Sequence, residues 1–149
     1  MKQAKYDIAT PYTAVYMIFR KDNKIAFLLR QNTQWMNDHY SLPAGKVEKD
    51  ESFTAAVIRE TQEEVGVKLQ RNEFSHIFTG QRKHPDSAWV DIVFEAMKWD
   101  KEPYNAEPHI HSELAWLDPK NLPTNMVEYV RYYVEQIEAG KTYVEWGWN

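Results

Sequence analysis

The chain has 149 residues, 43% of them apolar and 27% charged, which suits one domain with a substantial core (1–149). A net charge of -4 argues against a nucleic-acid polymer or an anionic membrane as partner. The chain has no cysteine, which excludes disulfides, thiolate nucleophiles and thiolate metal sites, and no apolar run approaches the ~20 residues of a membrane span. Met1-Lys2-Gln3-Ala4-Lys5 leads into no signal-like core, so a cytoplasmic location is expected.

Residues 1–10 read as a polar lead-in. Tyr12 to Phe19 is rich in β-branched and aromatic residues, and Ile25 to Leu29 is a second apolar run. Lys21-Asp22-Asn23-Lys24 between them is a turn signal, so the two runs are expected to pair as a β-hairpin. Gln31 to Tyr40 is a polar loop carrying Trp35 and Tyr40. After Ser41-Leu42-Pro43-Ala44 and a glycine, Ser52 is suited to cap a helix over Phe53 to Val65 that Gly66 ends. Phe74 to Gly80 and Ala88 to Met97 are expected strands. In the second, Val90, Ile92, Phe94 and Ala96 should face a core, whereas Trp89, Asp91, Val93 and Glu95 suit the lining of a polar site. Asp100 to Pro108 is a loop and Ile110 to Leu117 a short strand. Apolar residues spaced i, i+3, i+4, i+7 predict a last helix from about Asn125, capped by Thr124, to Ala139. The tail around Trp146 and Trp148 is aromatic enough to pack, either on the domain itself or against a second copy in a homodimer. Strands between two helices imply a three-layer α/β/α arrangement with a mixed sheet.

Glu60, Glu63 and Glu64 stand out. Positions i, i+3 and i+4 lie within about 100° on a helix, so the three carboxylates share a face near its C-terminal end. Like-charge pairs and the opposing macrodipole make this arrangement cost ~1–3 kcal/mol in total. A solvated helix tolerates that, and on charge alone a plain acidic face is the favoured reading. A divalent cation would turn the same penalty into a binding site, because hard cations take clustered carboxylate oxygens.

The complete pattern changes the balance. Gly45, five residues, Glu51, seven residues, Arg59-Glu60, two residues, Glu63-Glu64, one residue, Gly66 and Val67 resembles the signature of the Nudix (MutT-like) hydrolases. Thr61 departs from it, standing where the family usually has an aliphatic residue, and reads as a packing variation. Glu107-Pro108, then Glu113-Leu114-Ala115-Trp116-Leu117 and Leu122-Pro123, resembles the close of such domains. The resemblance implies the same sandwich fold. It also implies a hydrolase cleaving a nucleoside diphosphate linked to a further group, with Mg²⁺ or Mn²⁺ held by Glu60, Glu63 and Glu64 and a backbone carbonyl of Ala44 or Gly45. Within the signature Glu63 or Glu64 would deprotonate or orient the attacking water.

Arg59 is suited to neutralise Glu51 or a ligand carboxylate by bidentate hydrogen bonds, and also to touch phosphate. Glu51 reads as support for the loop and helix. A further acidic ligand outside the signature is common in the family: Glu107 is favoured over Glu113 and Glu95. Base recognition needs an aromatic platform, for which Trp35, Tyr40 and Trp89 are candidates, although an aromatic in a strand is more often core. His109 and His111 alternate along the last strand, but two histidines without a third ligand make a poor zinc site. A nucleoside triphosphate, intact or modified, is the expected substrate, with ADP-ribose or a nucleotide sugar as the alternative. The absence of tyrosine from Gly80-Gln81-Arg82-Lys83-His84-Pro85 argues against a diadenosine-polyphosphate substrate. A non-catalytic nucleotide-binding module would normally have lost signature acids, and here all are present.

Overall fold

In a computed structural model, which describes residues 6–149, β1 (Tyr12–Ile18) is an inner strand of the larger sheet. It pairs in parallel with β7 (Ser87–Ala96) and antiparallel with β5 (Ala44–Lys46). β7 continues antiparallel to β6 (Phe74–His84), and β9 (Tyr143–Trp146) closes the far edge parallel to β6. The five-stranded order is β5-β1-β7-β6-β9. A smaller sheet is built on β3 (Lys24–Arg30), which pairs with β2 (Arg20–Lys21) and β4 (Tyr40–Ser41) and, on its other edge, with β8 (His111–Leu117).

Alternation along the strands feeds two cores. Ala14, Tyr16 and Ile18 of β1 pack with Ile25, Phe27 and Val93 beneath α2 (Glu128–Glu138). Val15, Met17 and Phe19 pack with Ala26, Leu28, Ile92 and Phe94 against Ala56, Val57 and Val65 of α1 (Phe53–Val65). Burying each large apolar side chain contributes about 1.5–3 kcal/mol, so both helices are held by their apolar stripes. This is the expected α/β/α sandwich. Among the described residues no helix is long and apolar enough to cross a membrane.

Three expectations on pairing and boundaries are corrected. The first two apolar runs meet only at their turn-side ends, where Ala26 N–H donates to Phe19 O (3.1 Å), and β1 itself does not pair with β3. The turn is where the sequence put it, with Asp22 (φ 52) and Asn23 (φ 62) at its tip, but it joins β2 to β3. β1 is buried on both faces, the mark of an inner strand, and its edges are taken by β5 and β7. Second, β6 runs on to His84 instead of ending at Gly80, because β7 needs a partner along its whole length. Third, α2 starts at Glu128, with Val127 as its uncapped first position, and Thr124 is not its cap. Tyr40 N–H donates to Asn125 O (2.8 Å) and Val127 N–H to Tyr40 O (2.9 Å), so this segment is held extended against β4.

The tail packs, as expected. Trp146 lies against the α2 core, and Trp148 Nε1 donates to Gln81 O at 3.2 Å.

Candidate active site

The helix is built as its sequence directs. Ser52 Oγ accepts from Ala55 N (3.0 Å), and Gly66 adopts the left-handed conformation (φ 71) as the C-terminal stop. A side chain at Gly66 would also strike the Tyr104 ring. The loop carrying Tyr104 docks on the helix end, where Tyr104 N–H donates to Val65 O and Ala106 N–H to Glu64 O, both at 3.0 Å. These contacts satisfy helix carbonyls that would otherwise be unpaired, and they deliver Glu107 to the acids. Thr61 faces the core at 1% exposure, and its hydroxyl lacks a partner among the described residues, so the position is shaped for an aliphatic side chain.

Arg59 organises the acids. Its Nε and one terminal nitrogen bond Glu51 at 2.8 and 2.9 Å, and its other terminal nitrogen reaches Glu60 at 2.7 Å and Glu63 at 3.5 Å. It also donates to Lys46 O at 3.2 Å, fastening the helix to β5. The guanidinium holds the Glu51 carboxyl down at about 2. Glu64 is the deepest of the acids and accepts from Ala44 N–H at 3.3 Å. Burial pushes its pKa well up, and the Glu60 charge adds to the rise. Burial also raises Glu60, against the pull of Arg59, and raises Glu107, which lies within electrostatic reach of Glu60, Glu63 and Glu64.

Gly45 makes this packing possible: a Cβ there would stand 1.9 Å from the Glu60 carboxyl carbon. Among the described residues no three His, Asp or Glu side chains are gathered tightly enough to hold an ion. The reason is visible in the hydrogen bonds, which turn Glu60 and Glu63 toward Arg59 and Glu64 toward Ala44. The donor set nevertheless fits a hard divalent cation: several carboxylates, two of them strained by burial, beside a glycine cradle that a side chain would fill.

Glu64, Ala44 and Gly45 open onto a cleft of about 500 Å³. Arg30, Trp35, Arg82, Trp89, His111 and Tyr129 form much of its wall. Trp35 stands at the mouth, 43% exposed and nearly parallel to Tyr129 at 6.2 Å. Arg30 fixes it, with Nε donating to Trp35 O at 3.0 Å and the guanidinium 5.1 Å from the indole. Trp89 lies deeper, near Lys46 (5.6 Å) and Arg82 (4.7 Å).

Below the cleft, Asp91 is fully buried. It accepts from Arg82 Nε (2.8 Å) and a terminal nitrogen (3.0 Å), from Tyr16 (2.9 Å) and from Tyr133 (2.6 Å). Arg82 sits 3.9 Å from the Tyr129 ring centre.

The fold therefore gathers Glu60, Glu63, Glu64, Arg59, Glu51, Glu107, Ala44 and Gly45 at one place, with Trp35 and Trp89 in the adjoining cleft. Tyr40, Glu95 and Glu113 lie elsewhere. The Tyr40 hydroxyl bonds Glu113, which pushes the phenol up to about 12. Glu95 pairs with Arg20 at the far end of β7. His109 lies in a turn before β8, not beside His111 on the strand. His111 lines the cleft, its imidazole pushed down to about 4 by burial and by the charges of Arg30 and His109. Sequence reasoning missed Arg82, His84, Tyr16, Tyr129 and Arg30. The available signal was the length of β7, which requires an equally long antiparallel partner and so places Arg82 opposite Trp89.

The fold thus sets an acid-bearing helix behind a glycine turn, on a two-core sandwich beside an aromatic cleft. The family model for the NUDIX domain matches residues 10–137, and the chain belongs to the Nudix family. It is 33% identical over 84 residues to an ADP-ribose pyrophosphatase of Methanocaldococcus jannaschii, covering 56% of this chain. That match spans 49% of the relative, so the chain accounts for about half its length. It is 33% identical over 97 residues to an 8-oxo-dGTP diphosphatase of Escherichia coli, covering 63% of this chain and 71% of that one. A MutT Nudix hydrolase from Burkholderia pseudomallei superposes with a TM-score of 0.76 at 27% identity, covering 87% of this chain and 99% of that one. Nudix hydrolases act on small nucleotide substrates and generally use divalent metals.

Proposed function

We propose that residues 1–149 form one cytoplasmic domain that hydrolyses a nucleoside triphosphate, intact or modified, to the monophosphate and pyrophosphate with Mg²⁺ or Mn²⁺. One observation carries this reading: the most buried acid of the helix, Glu64, lines the same cleft as Trp35, Trp89 and Arg82. A base among the aromatic rings would direct its phosphates toward the acids. The name carried by the E. coli relative supports a triphosphate.

Glu60, Glu63, Glu64 and Glu107, with a carbonyl of Ala44 or Gly45, would hold the cation. When bound, it would neutralise phosphate oxygens and so lower the barrier to attack by water. Glu64 would take the proton of that water, being the acid of the helix set deepest in the cleft wall, beside the Ala44 N–H. Arg59 positions the acids, and Glu51 anchors Arg59.

The test is a panel of nucleoside triphosphates, ADP-ribose and nucleotide sugars with Mg²⁺, read by phosphate and pyrophosphate release. Turnover of a triphosphate with pyrophosphate as product is expected. Hydrolysis confined to ADP-ribose or nucleotide sugars, as the M. jannaschii relative's name would suggest, would replace this substrate assignment.

The Gly45 cradle gives a sharper expectation. In Gly45→Ala the new methyl meets the end of a flexible side chain, so the protein should fold with its melting temperature nearly unchanged. Glu60 must swing away, however, and the Mg²⁺ concentration for half-maximal rate should rise at least ~10-fold, the scale on which metal sites lose affinity when their supports are disturbed. An unchanged Mg²⁺ dependence would remove Glu60 from the cation site.

A further inference from the structure

The floor of the cleft carries hydrogen-bonding groups of fixed polarity that the chemistry at the acids does not use. Asp91 engages Arg82 through Nε and one terminal nitrogen, which fixes the direction of the other terminal nitrogen. That nitrogen stands 2.9 Å from His84 Nε2. A guanidinium can only donate, so Nε2 must accept, and the imidazole is neutral with its proton on Nδ1. Burial and the Arg82 charge act in the same direction by lowering the His84 pKa. The Trp146 ring, 5.7 Å away, packs edge-on against the imidazole. His84 lines the cleft; its Nδ1 has no partner among the described residues and is not sealed from solvent.

Directly across the hairpin, His84 is paired with Ser87, which also lines the cleft. Trp89 Nε1 donates to Ser87 Oγ at 3.1 Å, so the serine accepts from within the protein and its own hydrogen is left to donate. The hairpin end thus offers two donors side by side. Guanine presents two adjacent acceptors, O6 and N7, on its outer edge, whereas adenine replaces the first with an amino donor.

We propose that His84, supported by Ser87, is a specificity-determining residue that makes this cleft prefer guanine over adenine nucleotides. The inference deepens the nucleotide reading above and rests on the base entering this cleft. Opposing the His84 N–H with an adenine amino group would leave two donors facing each other, and a site built for one hydrogen-bond pattern discriminates strongly against its inverse.

Calorimetric binding of dGMP, dIMP and dAMP tests this without requiring turnover. The protein should bind dGMP at least ~10-fold more tightly than dAMP, the range a base-edge contact supplies. dIMP, which keeps O6 and N7 but lacks the 2-amino group, should bind like dGMP. His84→Phe should bring dGMP and dAMP to within ~3-fold of each other, because dGMP loses its contact and dAMP is relieved of the facing donors. His84→Gln should keep the preference, because its amide oxygen can accept from Arg82 while its amide N–H donates. Equal binding of dGMP and dAMP, or dIMP binding like dAMP, would overturn the inference with no variant needed. So would a folded His84→Phe that kept the full preference. Guanine preference without triphosphate turnover would sink only the proposed reaction, and turnover without base preference only this assignment.

Discussion

Glu64→Gln is expected to lower kcat by at least ~100-fold, the loss that follows removal of a positioned proton acceptor. Glutamine keeps the shape and can still face the Ala44 N–H, so the change removes the charge, and with it proton acceptance and cation ligation together, while sparing the packing. Glu63→Gln is the informative comparison, because Glu63 is half exposed and engages Arg59 at 3.5 Å, whereas Glu64 is buried in the cleft wall. The larger loss should fall on Glu64, and equal turnover in wild type and Glu64→Gln would refute its role. Stability should move the other way. The folded-state carboxyl titrates above its unfolded value of about 4.3, so ionised Glu64 opposes folding once the pH exceeds its raised pKa. With a chelator present, wild-type protein should therefore lose stability as the pH climbs from the ordinary carboxylate range through that raised value. Glu64→Gln lacks this loss and should melt higher than wild type at neutral pH. Added Mg²⁺ should reverse the order.

Asp91→Ala should be the most destabilising single change outside the apolar cores. Asp91 is fully buried, and its two oxygens accept four hydrogen bonds from Arg82, Tyr16 and Tyr133. Removing it leaves the Arg82 guanidinium, itself 4% exposed, without its counter-charge. Breaking one half of a buried ion pair costs about 3–5 kcal/mol, which for a chain of this size corresponds to roughly 6–20 °C in Tm. Replacing both partners, Asp91→Leu with Arg82→Met, should recover much of that loss, since the uncompensated charge goes with them. Calorimetric melting of the single and double variants decides the point; a shift under ~1 kcal/mol for Asp91→Ala would mean the network is dispensable.

The sequence disclosed the site unevenly, for physical reasons. Local chemistry was legible: Ser52, Gly66 and the i, i+3, i+4 acids act within one helix, and the structure places all of them as their neighbours in sequence dictate. Gly45 was recognised by its spacing, but its purpose, room for the Glu60 carboxylate, depends on an edge strand and a helix meeting in space. Long-range pairing was less legible. β1 reads like one arm of a hairpin because its apolar run adjoins a turn, yet only its burial on both faces reveals an inner strand. Tyr40 reads as a platform for a base by residue type, and Glu113 takes its hydroxyl instead. Arg82 and His84 lie in a run without apolar alternation, because their inward-facing side chains line a polar cleft and not a core. A pattern keyed to hydrophobicity passes over such residues.

The seating of divalent ions by the acids behind Gly45 is tested most directly by titrating the protein with Mn²⁺ under electron paramagnetic resonance, with Mg²⁺ as competitor. Wild-type protein should bind Mn²⁺, Mg²⁺ should displace it, and Glu60→Gln combined with Glu64→Gln should weaken binding at least ~10-fold while the protein remains folded. Equal Mn²⁺ affinity in wild type and the double variant would contradict the account.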